Sequence, residues 1–182
     1  AQPPGGRTIA LVGHPNVGKS VLFQWLTGRY VAVSNYPGTT VELARGAAQG
    51  LPDTFVIDTP GVVTLPSRTE DEQVTARVLL DEPLRAIVQV GDAKNPRRTL
   101  LLAVLLAELG VPLVLALNMS DEAGARGVAV DYAQLAAFLD LPVIPTVATR
   151  GHGVDVVTAA IQSSRVPRFR VSYPAAIEDE LE

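Results

Sequence analysis

The stretch GHPNVGKS, residues 13–20, constrains the fold more than any other part of the chain. Two glycines bracket four residues, and a lysine and a serine follow, in the pattern G-x-x-x-x-G-K-S. An apolar run, RTIALVG (7–13), precedes it. A helical pattern, KSVLFQWLTG (19–28), follows and is closed by Gly28. Strand, glycine loop and helix in that order make a phosphate-holding loop, because the loop N–H groups and the helix N-terminus face an anion. In such a loop Lys19 reaches the β- and γ-phosphates and Ser20 ligates Mg²⁺. Gly13, Asn16, Val17, Gly18 and Val21 complete the lining.

A loop of this kind needs a parallel sheet behind it, and the remaining sequence supplies one. VELARGAAQ (41–49) and TFVIDTP (54–60) read as strands separated by too short a gap for a helical crossover, so they pair antiparallel. RAIVQVGD (85–92), VPLVLALN (111–118) and PVIPTVA (142–148) read as three further strands. EDEQVTARVLLDE, RRTLLLAVLLAEL, DYAQLAAFLD and VDVVTAAIQSS read as helices between or after them, with Asp131 as a cap. The fold expected is α/β: a mostly parallel six-stranded sheet with one antiparallel edge strand and helices on both faces. Hydrophobic residues make up 47% and aromatics only 5%, so Ala, Val, Leu and Ile must build the core, as suits such a sheet. Ligands then bind at the carboxyl ends of the strands.

Further motifs stand at those ends. In DTPG (58–61), Asp58 holds Mg²⁺ through a water and the Gly61 N–H meets the γ-phosphate. In NYPGTTVE (35–42), Gly38, Thr39 and Thr40 lie near the phosphates. Thr40 directly precedes a strand and is preferred over Thr39 as the residue that ligates Mg²⁺ and senses the γ-phosphate. NMSD (118–121) ends a strand and reads as a base-recognition loop. The Asp121 carboxylate accepts from guanine N1–H and the exocyclic amine, whereas adenine N1 would repel it, so GTP is favoured over ATP. The residue after such an asparagine is usually a lysine whose stem covers the base; Met119 does the same packing without charge. Ala148, Thr149 and Arg150, in ATRGHG (148–153), occupy the last base-contacting loop. Val62, directly after D-x-P-G, cannot orient a hydrolytic water. TEDE (69–72) reads as a capping box, with Thr69 as cap and Glu72 at the third helical position. Trp25 reads as core, and Arg165, Arg168 and Arg170 as a solvated linker.

Composition excludes several alternatives. A net charge of −4 argues against a nucleic-acid partner. With no cysteine there is no disulfide, thiolate zinc site or Fe–S cluster. His14 and His152 are far apart in sequence, so no direct iron binding is expected. The apolar run 99–119 is cut by Glu108, Gly110 and Pro112 into pieces shorter than the roughly 20 residues of a spanning helix. Ala1 to Gly6 is polar and does not read as a signal peptide.

Taken together, G-x-P-N-x-G-K-S, N-Y-P-G-T-T-V-E, D-x-P-G, S-R-T-E-D-E-Q, N-M-x-D and T-R-G-x-G resemble the cytosolic G domain of the bacterial ferrous iron transporter B (FeoB) family, over about residues 7–165. The resemblance implies a Ras-like P-loop GTPase that converts GTP to GDP and phosphate slowly and regulates or gates Fe²⁺ uptake. Lys19, Thr40 and Gly61 would be its catalytic residues; Ser20, Thr40 and Asp58 would hold Mg²⁺, and Asn16 would accept K⁺. It implies a place on the cytoplasmic face of the bacterial inner membrane, joined to helical and membrane domains, and leaves homo-oligomerisation open. Residues 1–6 are then a disordered leader, 7–165 the G domain, and 166–182 a linker with the start of a truncated or reduced helical domain. His14, Thr59 and Ala148 depart from the family pattern, which more often has Asn, Leu and Ser there. The rival readings are a ribosome- or tRNA-associated regulatory GTPase and a nucleotide sensor without useful hydrolysis.

Overall fold

A computed structural model of the chain describes residues 7–28, 31–63 and 69–168. Residues 1–6, most of the 166–182 segment and part of S-R-T-E-D-E-Q lie outside the described residues. Seven strands form one sheet: β1 (Thr8–Gly13), β2 (Val31–Asn35), β3 (Glu42–Ala47), β4 (Phe55–Asp58), β5 (Leu84–Asp92), β6 (Leu113–Asn118) and β7 (Val143–Pro145), in the order β2-β3-β4-β1-β5-β6-β7. β4, β1, β5, β6 and β7 run parallel, and β2 and β3 form the antiparallel edge.

The sequence reading expected six strands, and β2 is the seventh. Every residue of β2 is exposed, because this edge strand has one neighbour and, unlike β7 under α5, no helix packed over it. The alternation that betrays a half-buried strand is therefore missing. β1 and β6, by contrast, are buried along their whole length, as continuous apolar runs demand.

Helices α1 (Lys19–Thr27) and α6 (Val154–Ser163) cover one face. α2 (Glu70–Asp81), α3 (Pro96–Ala107) and α5 (Tyr132–Leu139) cover the other. A short α4 (Ser120–Ala125), unforeseen from the sequence, follows β6. α2 opens with the expected capping box, Thr69 accepting from the Glu72 amide while Glu72 accepts from the Thr69 amide. Asn95 and Asp131 cap α3 and α5 by accepting from the Arg98 and Gln134 amides. Asp140, at the end of α5, pairs with Arg165 and Arg168, whose side chains remain largely in solvent, as expected of this segment; Arg170 lies outside the described residues. No helix among the described residues is long and apolar enough to cross a membrane.

β1 lies between β4 and β5, where the direction of strand addition reverses. The loop leaving the carboxyl end of β1 sits at that switch point, which is where such sheets bind ligands.

A candidate nucleotide site at the switch point

The loop after β1 delivers the expected residues to one place. Gly18 enters α1 in the left-handed conformation (φ 86°), and no side chain caps this helix. The first-turn N–H groups of α1 are left for a ligand, and no acidic residue lies in that turn. Asp58, at the end of β4, comes to the same point. Its carboxylate accepts from Lys19 Nζ at 2.8 Å and from Ser20 Oγ at 2.6 Å.

The segment after Asp58 then folds back onto the loop. The Thr59 hydroxyl donates to the Leu11 carbonyl at 2.7 Å, and the Val62 amide to the Gly13 carbonyl at 2.9 Å. Gly61 lies so close to Pro15 that a Cβ there would stand 2.8 Å from Pro15 Cγ. Val62 is buried in the core beneath this turn and reaches no solvent face. Asn16 is exposed with φ 63°, and its side chain makes no hydrogen bond among the described residues.

Thr39 and Thr40 divide their tasks. The Thr39 hydroxyl is consumed in the turn, donating to the Tyr36 carbonyl at 3.0 Å and accepting from the Val41 amide at 3.2 Å. Gly38 takes φ 76° to make that turn. Thr40 is exposed, and no hydrogen bond links it to Ser20 or Asp58. The structure thus joins Lys19, Ser20 and Asp58, sets Gly61 against Pro15 of the same loop, and leaves Thr40 exposed with no bond to them.

The other half of the site is organised by Asn118, which is 3% exposed. Its Nδ2 donates to the Val17 carbonyl at 2.9 Å, and its Oδ1 accepts from the Ala148 amide at 2.8 Å and the Thr146 hydroxyl at 3.2 Å. One side chain therefore ties the phosphate-type loop to the 146–150 segment. Gly18 permits this approach, since a Cβ there would stand 2.3 Å from Asn118 Nδ2. Met119 starts α4 in the left-handed conformation (φ 61°). Asp121 lies 3.6 Å from Arg150 across the site, a solvent-exposed pair that gives way readily to a ligand.

Trp25 is not core, as the sequence reading expected; it is 48% exposed. Its Nε1 donates to the Ala148 carbonyl at 2.7 Å, and Gly151 packs against the indole face. Helix α1 thereby supports the 148–150 loop from outside. A cavity of about 800 Å³ opens beside this contact, lined by Val21, Gln24, Trp25 and Thr149 among others. Val21 and Thr149 are two of the expected nucleotide-lining residues, and the cavity brings them together.

Two further residues border the site, and only the second, Lys94, was unforeseen from the sequence. His14 is buried between the loop and α3, and burial first, then the Arg98 guanidinium, hold its imidazole below the ordinary value. Lys94, between β5 and α3, lies against Met119. An alignment of loop positions alone would not reveal it, because it comes from a segment carrying none of the nucleotide motifs.

The geometry agrees with comparison to known proteins. A family model described as "Ferrous iron transport protein B" matches residues 7–161. The Fe(2+) transporter FeoB of Escherichia coli K12 is 39% identical over 159 residues, covering 85% of this chain and 21% of that protein. The FeoB transporter of Salmonella typhimurium LT2 is 40% identical over the same length. This chain spans about a fifth of the length of these relatives. Among solved structures, the cytosolic domain of T. maritima FeoB in its GMPPNP form superposes with a TM-score of 0.88 at 32% identity, covering 96% of this chain and 71% of that one. The cytosolic domain of L. pneumophila FeoB gives 0.86 at 35% identity, covering 94% and 75%. A GDP-bound S. thermophilus NFeoB point mutant gives 0.87 at 33%, covering 94% and 68%. On the match of its loops, its sheet order and its sequence over 7–161, this chain belongs to the ferrous iron transport protein B family.

Proposed function

We propose that this chain binds GTP with Mg²⁺ and hydrolyses it to GDP and phosphate, as the regulatory GTPase domain of a ferrous iron transporter. The observation that carries the reading is the meeting of Lys19, Ser20 and Asp58 at the uncapped N-terminus of α1. A cation and a row of free N–H groups suit a polyphosphate. A hydroxyl and a carboxylate 2.6 Å apart are hard oxygen donors, which suit Mg²⁺. Bound there, Mg²⁺ would neutralise charge on the phosphates. Lys19 leaves Asp58 to meet the phosphates, and Thr40 closes on the γ-phosphate. The Gly61 N–H supports the same group. At the other end Asn118 holds the base loop in place, Asp121 accepts from guanine, and Met119 packs on its face. Ala148, Thr149 and Arg150 complete that end.

Val62 is buried and apolar, so it positions no water, and intrinsic turnover is slow. Asn16 supports a partial remedy, because its exposed side-chain oxygen is free to hold a K⁺ ion beside the phosphates. Hydrolysis should then be faster in KCl than in NaCl at equal ionic strength, with the difference lost in Asn16→Ala. Equal rates in the two salts for the parent would refute the K⁺ assignment. The wider context proposed is the cytoplasmic face of the bacterial inner membrane, with helical and membrane domains of the full-length transporter as partners and no nucleic acid.

The test of the main reading is steady-state phosphate release from GTP with Mg²⁺, for the parent chain and for Lys19→Ala and Ser20→Ala. Slow release by the parent, lost in both variants, is the expected result. No release by the parent would overturn hydrolysis, and release unchanged in both variants would overturn the site.

A further inference from the structure

The parallel register of β5 and β6 sets Asp92 beside Asn118, so the two strands end level. The loops that leave them are sewn together, with the Ala93 amide donating to the Asn118 carbonyl at 2.9 Å. Two residues past the end of β5 stands Lys94. Its backbone amide donates to Asp92 Oδ1 at 2.9 Å, which turns the chain toward the loop after β6. Its Nζ lies 2.9 Å from Met119 Sδ and 2.7 Å from Glu122 Oε2, and 3.9 Å from Asp92 Oδ2. The side chain is only 17% exposed, unusual for a lysine.

Met119 stands where base-reading loops of this pattern usually carry a lysine. The structure returns an ammonium to that place from a different loop. Met119 holds a left-handed backbone conformation, and α4, which carries Asp121 and Glu122 in its first turn, is only six residues long. So short a helix does not fix its own orientation. Lys94 touches both the first residue of the turn and the helix behind it.

We propose that Lys94 is a specificity-determining positioning residue: anchored on Glu122 and seated on Met119, it fixes the α4 turn and thereby the angle at which Asp121 meets guanine. The inference rests on the reading of residues 118–121 as the base-recognition loop. Glu122 and Asp92 supply the counter-charge, so the ammonium serves as a fixed strut rather than a free attractant for phosphate. The thioether and the lysine stem together form a surface that packs against the base.

The test compares GDP with IDP, which lacks the exocyclic amine and so one of the two donors to Asp121. The parent should prefer GDP. Lys94→Met keeps volume and removes the charge, and should shrink the GDP/IDP affinity ratio about tenfold, the scale of one charge-assisted contact. Lys94→Arg, able to reach Glu122, should restore most of the ratio, and Glu122→Gln should fall between. A purely structural role would lower the melting temperature and leave the ratio intact. A parental ratio in Lys94→Met, measured where that variant is folded by circular dichroism, overturns the role of Lys94 alone. A parent that binds GDP no better than IDP overturns the base-site reading along with it.

Discussion

Replacing Asn118 with alanine should weaken the protein before any nucleotide is added. The side chain is 3% exposed and makes three hydrogen bonds, to Val17, Thr146 and Ala148. Each is worth about 1 kcal/mol net, and truncation also leaves the Val17 carbonyl and the Ala148 amide without their buried partner. The expected loss is about 3 kcal/mol, a large share of the roughly 5–15 kcal/mol that such a domain possesses. At about 2–4 °C per kcal/mol for a chain of this size, the melting temperature should fall by about 6–12 °C. Thermal and urea unfolding of the nucleotide-free protein measure this, with the urea slope unchanged if only stability is affected. Asn118→Asp is the informative second variant. It keeps an acceptor for Ala148 but turns an oxygen toward the Val17 carbonyl, so it should be destabilised as well. GDP affinity should drop in both variants, because the loop and the base segment lose their shared tie. A nucleotide-free Asn118→Ala protein melting within about 2 °C of the parent would refute the brace and return Asn118 to a direct ligand contact.

Three other outcomes are expected. Asp121→Asn should turn preference from guanine toward xanthine nucleotides, costing GTP about 2–4 kcal/mol, and an unchanged ranking of GTP and XTP affinities would place the base elsewhere. Thr40→Ala should leave GDP affinity near the parental value and slow GTP turnover, since Thr40 is exposed and makes no hydrogen bond to Ser20 or Asp58; parental turnover would refute its role. For His14 the folded-state value is depressed, so as pH falls through its ordinary value near 6.5 the unfolded chain takes up the proton first and stability declines. Melting temperatures between about pH 7 and pH 5.5 should therefore fall less steeply in His14→Asn than in the parent, and equal slopes would show that another group titrates.

The legible parts of this fold are those whose burial leaves a period or a cap in the sequence. β1 and β6 are nearly unbroken apolar runs, β5 is one around its middle, and Thr69 and Asp131 mark helix starts by the amides they accept from. β2 left no such mark because nothing covers it. The short α4 left none because it is held by its neighbours rather than by its own pattern. In the site, the residues of one contiguous loop were readable, since spacing along the chain is spacing in the loop. What spacing could not carry is contact between loops: Asn118 reaching back to Val17, Trp25 reaching across to Ala148, Lys94 reaching over to Met119. These depend on strand order and register, which bring residues from 25 to 123 positions apart within hydrogen-bonding distance.

The position of Trp25 makes the molecule its own indicator. It is the single tryptophan among 182 residues, so its emission can be excited apart from that of the four tyrosines. The indole is half in water, and its N–H is held by the carbonyl of the loop that borders the large cavity. Indole emission shifts colour with the polarity around the ring and dims when a stacking or charged group arrives. Anything that settles in that cavity or moves the 148–151 loop alters the light emitted by the unlabelled protein. The sequence thus contains a built-in fluorophore held against the loop that borders this cavity, readable without any label.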